Sequence, residues 1–530
     1  MDFDFQAIPR RLFGPDFAPP GYLAARWLFL RALGLIFFSA FYSLAYQIRG
    51  LIGPNGILPA QSYLAQVARV LGSARFWYAP TVFWWSASDR FLLGVVIVGM
   101  AASLLLTVNI FPRGMLAVCL IAFLSFIAAA QDFASYQSDG MLLEAGFISL
   151  FFAPSGWRPR WGPSDPPSRA SRYLLIWLMF RIYFESGIAK ILGRDPEWRN
   201  FTAMDEYYQN GPLPTWIAWY AHQLPHWFHA ATAVLTLALE LVLIFAIFLP
   251  RPSRNALFLL ITAWQMGIIL TSNYAFLNYL VLVLGFLLLD DPFVTRFLPH
   301  RFHPALALPA QPGETPVPAG TEEGWQVHLR LWIQAISLTW IFYATSALLI
   351  LMLFPAAPLP TALVRALEPF RIANEFGLFA VMTRGRYEIE FQGSRNGVDW
   401  TPYPFRNKPQ DVHAAPRIYA PYQPRFDWNL WFASLGNWRE YPWVVQVEER
   451  LLTGSTDVLG LFAGNPFPGT APEQVRVVIW QYWFTSRSEK RSQGLWWRRE
   501  QLGLYAPTLE LTPDGKIIVL QMPDSPSTPN

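Results

Sequence analysis

Trp27-Leu28-Phe29-Leu30-Arg31-Ala32-Leu33-Gly34-Leu35-Ile36-Phe37-Phe38-Ser39-Ala40-Phe41-Tyr42-Ser43-Leu44-Ala45-Tyr46 is the first of nine apolar stretches in the chain. It reaches the roughly 20 residues that a helix needs to cross ~30 Å of hydrocarbon. The others run Phe91 to Asn109, Gly114 to Ala130, Met141 to Ala153, Tyr173 to Leu192, Ala230 to Leu249, Ala256 to Leu270, Phe276 to Leu289 and Leu329 to Phe354. Met141 to Ala153 and Phe276 to Leu289 are short for a span. The pattern predicts a polytopic α-helical membrane protein of about nine transmembrane helices.

Charge then predicts orientation, because basic residues near helix ends resist translocation. Arg10, Arg11 and Arg26 precede the first stretch and Arg113 sits in the second hairpin. Arg158, Arg160, Arg169 and Arg172 precede the fifth, Arg251 and Arg254 the seventh, and Arg296, Arg301 and Arg330 the ninth. Gln131 to Gly140, on an opposite connection, holds only Asp132 and Asp139 as charges. The N-terminus is therefore expected in the cytoplasm, and an odd number of crossings delivers everything after Phe354 to the far side.

A length of 530 residues with 53% hydrophobic and 16% aromatic content accommodates a membrane domain over 1–354 and a soluble, extracytoplasmic domain over 355–530. The net charge of +4 is dispersed, which argues against nucleic acid as a partner. A lone cysteine, Cys119, excludes an intramolecular disulfide and a thiolate metal site. About twenty polar and Pro-containing residues precede the first stretch, so the first helix is expected to remain as an anchor rather than be cleaved.

Between the first two helices, 50–90 opens with Pro and Gly turns and continues with helical spacing over Tyr63 to Leu71. Trp77, Tyr78, Trp84 and Trp85 follow, aromatics suited to the headgroup zone, so this loop is expected on the outer membrane face. The Pro/Ala/Gly-rich segment 303–323 reads as a cytoplasmic linker. Past Pro369, strand-like alternation begins at Tyr387 to Phe391, with a hairpin turn at Asn396-Gly397. Gln474 to Thr485 and Thr508 to Leu511 read as strands, and Asn429 to Leu435 and Pro442 to Leu452 as helices. This predicts a smaller α+β, β-sandwich-like domain.

An ionisable group in hydrocarbon costs at least ~2.5 kcal/mol, so each one needs a partner, water or a purpose. Arg181 and Glu185 share a helix face, four residues apart, and Lys190 sits near the outer end of the same helix. With Asp139, Glu144 and Glu240 they form a candidate polar cavity for a ligand head group or proton transfer, or a structural network. His222, His226 and His229 cluster, but Pro225 interrupts their helix, so no metal is expected there, and no cofactor motif occurs. Two aromatic groups, Trp428, Trp431 and Phe432, and Trp480 and Trp483, are candidates for binding exposed apolar surface of a partner protein.

Several ordered blocks resemble the lipase maturation factor family. They include Gln137 to Phe147, Ser186 to Ile191 with Asp195 to Arg199, Gly211 to Thr215 and Ala218 to His222. Asn374 to Arg384, Tyr387 to Phe405, Pro421 to Trp428 and Ala463 to Pro468 resemble its C-terminal region. The resemblance implies a membrane-anchored folding factor; family members in animals sit in the endoplasmic reticulum membrane, with the C-terminal domain in the lumen, and help dimeric lipases fold. It implies partly folded secreted or envelope proteins, lipases among them, as partners beside the lipid bilayer, and no catalysis. The chain is expected in a bacterial inner membrane with a periplasmic C-terminal domain, or in the endoplasmic reticulum membrane of a eukaryote. The membrane part is also distantly similar to the vitamin K-dependent carboxylase, which implies the alternative of a membrane enzyme acting on a lipid or quinone-like substrate.

Overall fold

A computed structural model describes residues 12–13, 21–297 and 325–524; the expected linker 303–323 lies outside them. In chain order the principal helices are α1 (Leu23–Ile52), α2 (Ala60–Leu71), α3 (Asp89–Thr107), α4 (Pro112–Ala129), α5 (Gln137–Phe152) and α6 (Arg169–Leu192). They continue with α7 (Ala203–Asn210), α8 (Trp216–His222), α9 (His226–Leu241), α10 (Arg251–Thr271), α11 (Leu277–Gly285) and α12 (Trp325–Leu353).

Among the described residues, six helices are long and apolar enough to cross a membrane, or seven if one bent pair counts as a span. They are α1, α3, α4, α9 with its 3-10 extension to Phe248, α10 and α12. Apolar side chains point outward on several of them, among them Ile97 and Val98 on α3, Leu259 and Met266 on α10, and Ile336 and Ile350 on α12. Such a belt requires an apolar solvent.

The remaining three of the nine stretches differ for identifiable reasons. Helix α5, at 16 residues, is only about 24 Å long, and nearly all of it is buried against α4 and α6. A helix buried on nearly every face and too short to span is a core helix. Helix α6 is long enough but carries Arg181, Glu185 and Lys190, and it is enclosed by α5, α9, α11 and α12. The eighth stretch breaks: Leu277–Leu288 and the following Asp291–Phe297 are bent by 108°. At that bend Asp291 accepts hydrogen bonds from Leu23 N at 3.1 Å and Ala24 N at 2.7 Å, which caps the start of α1.

Basic residues gather at this end of the bundle. Arg26 donates to the carbonyls of Trp161, Gly162 and Asp165; Arg113 and Arg330 meet the Asp165 carboxylate, and Arg251 meets Asp290. The C-terminal part docks on the opposite end, where Arg49 pairs with Asp457 and Gln47 Nε2 donates to the carbonyl of Gln423.

That part holds α13 (Arg425–Ser434), α14 (Trp443–Leu452) and strands β1 (Arg386–Ser394), β2 (Thr401–Pro402), β3 (Gln474–Phe484), β4 (Trp497–Leu511) and β5 (Ile517–Gln521). The strands form one antiparallel sheet in the order β2-β1-β3-β4-β5. Helix α13 packs on β1 and α14 on β3 and β4, so helices, not a second sheet, cover the sheet's apolar face. The expected α+β mixture is present, but the second sheet that a sandwich-like arrangement implies is replaced by these helices, since period-2 patterning reveals a buried face but not what buries it. The Asn396-Gly397 turn is also longer than a two-residue hairpin. Pairing resumes only at Gly393 and Thr401, Gly397 alone has positive φ (+73°), and Asn396 Oδ1 accepts from Val398 N and Asp399 N.

Candidate functional site

Between α12 and the sheet, residues 371–383 run as non-repetitive chain against α5 and α6. Buried backbone must find hydrogen-bond partners, and the polar residues of the helices supply them. Asn374 donates to Glu144 Oε2 from both its backbone N and Nδ2, each at 3.0 Å, and its carbonyl accepts from Arg181 Nη1 at 2.7 Å. Phe376 N donates to Glu185 Oε2 at 2.8 Å, Leu378 N to Ser186 Oγ at 3.3 Å, and Met382 N to Asp195 Oδ2 at 2.6 Å. Lys190 Nζ donates to the Leu378 carbonyl at 2.8 Å.

The charges are matched within the same seam. Arg181 is hydrogen-bonded to Glu144 and lies 3.6 Å from Glu185, the ion pair that their four-residue spacing anticipates. Lys190 lies 2.9 Å from Glu240 of α9. Asp139 stands apart from this group and pairs with Arg425 of α13. The segment packs directly on Gly140, where a Cβ would sit 2.5 Å from Asn374 Oδ1. The six candidate polar residues thus divide between two junctions with the C-terminal part, and residues 374–378 of the chain itself lie across Glu144, Arg181, Glu185 and Lys190.

Next to the seam lies a cavity of about 550 Å³. Its wall combines Tyr136, Tyr207 and Tyr274 from the helical part, Phe379 from the segment, and Trp428, Trp431, Phe432, Tyr441 and Trp443 from the C-terminal part. The rings contact one another: Tyr136 and Trp428 centroids are 5.0 Å apart, Tyr274 and Phe379 5.0 Å, and Trp431 and Phe432 5.1 Å. Trp428 and Trp431 are buried, while Phe432 and Val381 are exposed at the edge. The indole N–H groups of Trp428, Trp431 and Trp443 find no acceptor among the described residues. Two carboxylates, exposed Asp132 and half-buried Glu206, are the only charged residues of the lining among the described residues. Burial pushes the Glu206 carboxyl above its ordinary range, although Asn210 Nδ2 donates to it at 2.6 Å.

Trp428, Trp431 and Phe432 therefore share one cavity, whereas Trp480 and Trp483 are half-buried on β3 outside it, Trp480 beneath Arg499 at 4.1 Å. His226 and His229 both meet the carboxylate of Asp205, at 2.8 and 2.7 Å, and no metal-holding cluster of three or more such residues occurs among the described residues. Sequence reading missed Asn374 and Arg425, the two residues that answer the buried charges of α5 and α6 from the other part, and Tyr136, Tyr207 and Tyr274. Asn374 to Arg384 did carry a signal, as one of the blocks with a family likeness.

A bundle of apolar helices, fastened through buried polar groups to a sheet-bearing part with an aromatic cavity at the junction, defines an integral membrane protein with an appended soluble domain. The chain belongs to the lipase maturation factor family. The family's transmembrane-domain model matches residues 24–296, and its C-terminal-domain model matches residues 372–507. The chain is 31% identical to lipase maturation factor 2 of Gallus gallus, over 92% of this chain and 81% of that protein. It is likewise 31% identical to lipase maturation factor 1 of Bos taurus, over 91% of this chain and 88% of that one. No solved structure matches it.

Proposed function

We propose that this chain is a non-catalytic, membrane-anchored maturation factor that binds partly folded exported proteins, lipases among them, at the aromatic cavity. The observation that carries this reading is the cavity's construction: helical part, connecting segment and C-terminal part each contribute aromatic wall, and Phe432 and Val381 remain exposed at its edge. Aromatic surface that is apolar yet able to donate hydrogen bonds suits unfinished cores. The polar residues from Asp139 to Glu240 act as the fastening that holds the wall together.

In this reading residues 1–354 anchor the protein and 355–530 work outside the cytoplasm: the periplasm of a bacterium, or the endoplasmic reticulum lumen of a eukaryote. The gathering of Arg26, Arg113, Arg251 and Arg330 at the end opposite the C-terminal part supports that orientation. The test co-expresses a secreted lipase with the full chain or with its Trp431→Ala and Phe432→Ala variants and measures lipase activity per mass secreted. Both variants should lower it. Undiminished activity with correctly inserted variants overturns the reading.

A further inference from the structure

Resting on that reading, the geometry points to a narrower partner: we propose that the cavity takes an extended segment carrying a Lys or Arg among apolar side chains. At about 550 Å³ the cavity is within the usual 300–1,000 Å³ range of small-ligand sites, enough for a few side chains and not for a folded surface.

Charge selects among apolar occupants. Among the described residues the lining carries Asp132 and Glu206 and no Lys or Arg. Glu197 and Asp205 act electrostatically on Glu206, opposed by Arg384. Tyr441, on the other wall, feels Asp132 and Glu440. A fatty-acid carboxylate or lipid phosphate would find like charge here and no cationic partner in the described lining, which disfavours it. A guanidinium or ammonium finds carboxylates at the rim and indole and phenol faces behind them, a surface that attracts cations through the ring quadrupole. The neighbouring apolar side chains of the same segment fill the rest of the wall.

The experiment uses the full chain in nanodiscs of zwitterionic lipid. Three fluorescein-labelled heptapeptides share Phe and Leu flanks and differ at the centre, which is Arg, norleucine or Glu; binding is read by fluorescence anisotropy. The Arg peptide should bind about tenfold or more tighter than the Glu peptide, with norleucine between. Glu206→Gln should shrink the Arg-to-Glu ratio, and Phe432→Ala, an exposed edge position that tolerates truncation, should weaken all three. Equal binding of the three peptides overturns the charge selection while leaving an apolar client site, as long as Phe432→Ala still weakens them. Displacement of the Arg peptide by sodium oleate as effectively as by unlabelled peptide overturns it in favour of a lipid. Binding of no peptide, by protein that still raises secreted lipase activity, overturns the inference and spares the maturation reading.

Discussion

Asp139 of α5 and Arg425 of α13 meet in a two-pronged pair, Oδ1 to Nη2 and Oδ2 to Nη1, both at 2.7 Å and with both side chains fully buried. The carbonyl of Phe133 accepts a further bond from Arg425 at 2.7 Å. Removing one member leaves a buried charge without its counter-ion, a loss of about 3–5 kcal/mol, whereas exchanging both for apolar residues of similar volume is often near neutral. Asp139→Leu and Arg425→Met are each expected to lower the thermal unfolding midpoint of the detergent-purified protein by several degrees. The Asp139→Leu/Arg425→Met double variant should recover most of that loss. A double variant as unstable as the sum of the singles would show that the two residues act separately.

Asn374 ties the connecting segment to α5 and α6. Its side chain and backbone both donate to Glu144, and its carbonyl accepts from Arg181. Asn374→Asp places a second carboxylate against Glu144, and Asn374→Ala leaves a Glu144 lone pair unsatisfied at about 1–3 kcal/mol. Limited trypsinolysis checks this: cleavage after Arg384, which is already exposed, should speed up in both variants, more so for Asp. Unchanged cleavage would show that the segment is held by its apolar residues alone.

How far these features were legible in the sequence depends on their range. The span of α1 and the Arg181–Glu185 pair follow from periodicities of one helix, so both could be read directly. Asn374 and Arg425 answer Glu144 and Asp139 across 230 and 286 positions, and no local pattern encodes such a meeting. The aromatic candidates divided for the same reason. Trp428, Trp431 and Phe432 form one wall because α13 lies against the helical part, while Trp480 and Trp483 on β3 look equally apolar in sequence but line no part of it. Tyr136, Tyr207 and Tyr274 carry no local signal that sets them apart, since aromatic enrichment near a membrane boundary has a sufficient cause of its own.

Glu448 of α14 gives the C-terminal part a pH dependence. It is fully buried, neither carboxylate oxygen has a hydrogen-bond partner among the described residues, and desolvation with Glu449 nearby holds its carboxyl well above the ordinary range. Between the unfolded carboxyl's ordinary value and this raised one, the folded protein binds a proton that the unfolded chain does not. Stability therefore falls as pH rises through that window, by up to about 1.4 kcal/mol per pH unit from this group. Glu448→Gln should flatten the decline in unfolding midpoint between about pH 5 and pH 8 and raise the midpoint at the upper end. Parallel profiles for the two proteins would show that Glu448 is solvated in solution.

Lys190 separates a fastening role from a chemical one. Its ammonium lies 2.9 Å from Glu240 and donates to the carbonyl of Leu378, with its side chain almost wholly enclosed. Lys190→Met strands the Glu240 carboxylate in an apolar setting and deprives Leu378 of its donor, at about 3–5 kcal/mol. The yield of monodisperse protein after size-exclusion chromatography should fall sharply. Adding Glu240→Gln removes the stranded charge, so Lys190→Met/Glu240→Gln should regain yield and, with it, the ability to raise secreted lipase activity. A lysine needed for chemistry gives the opposite result, because the double variant would be well folded and inactive.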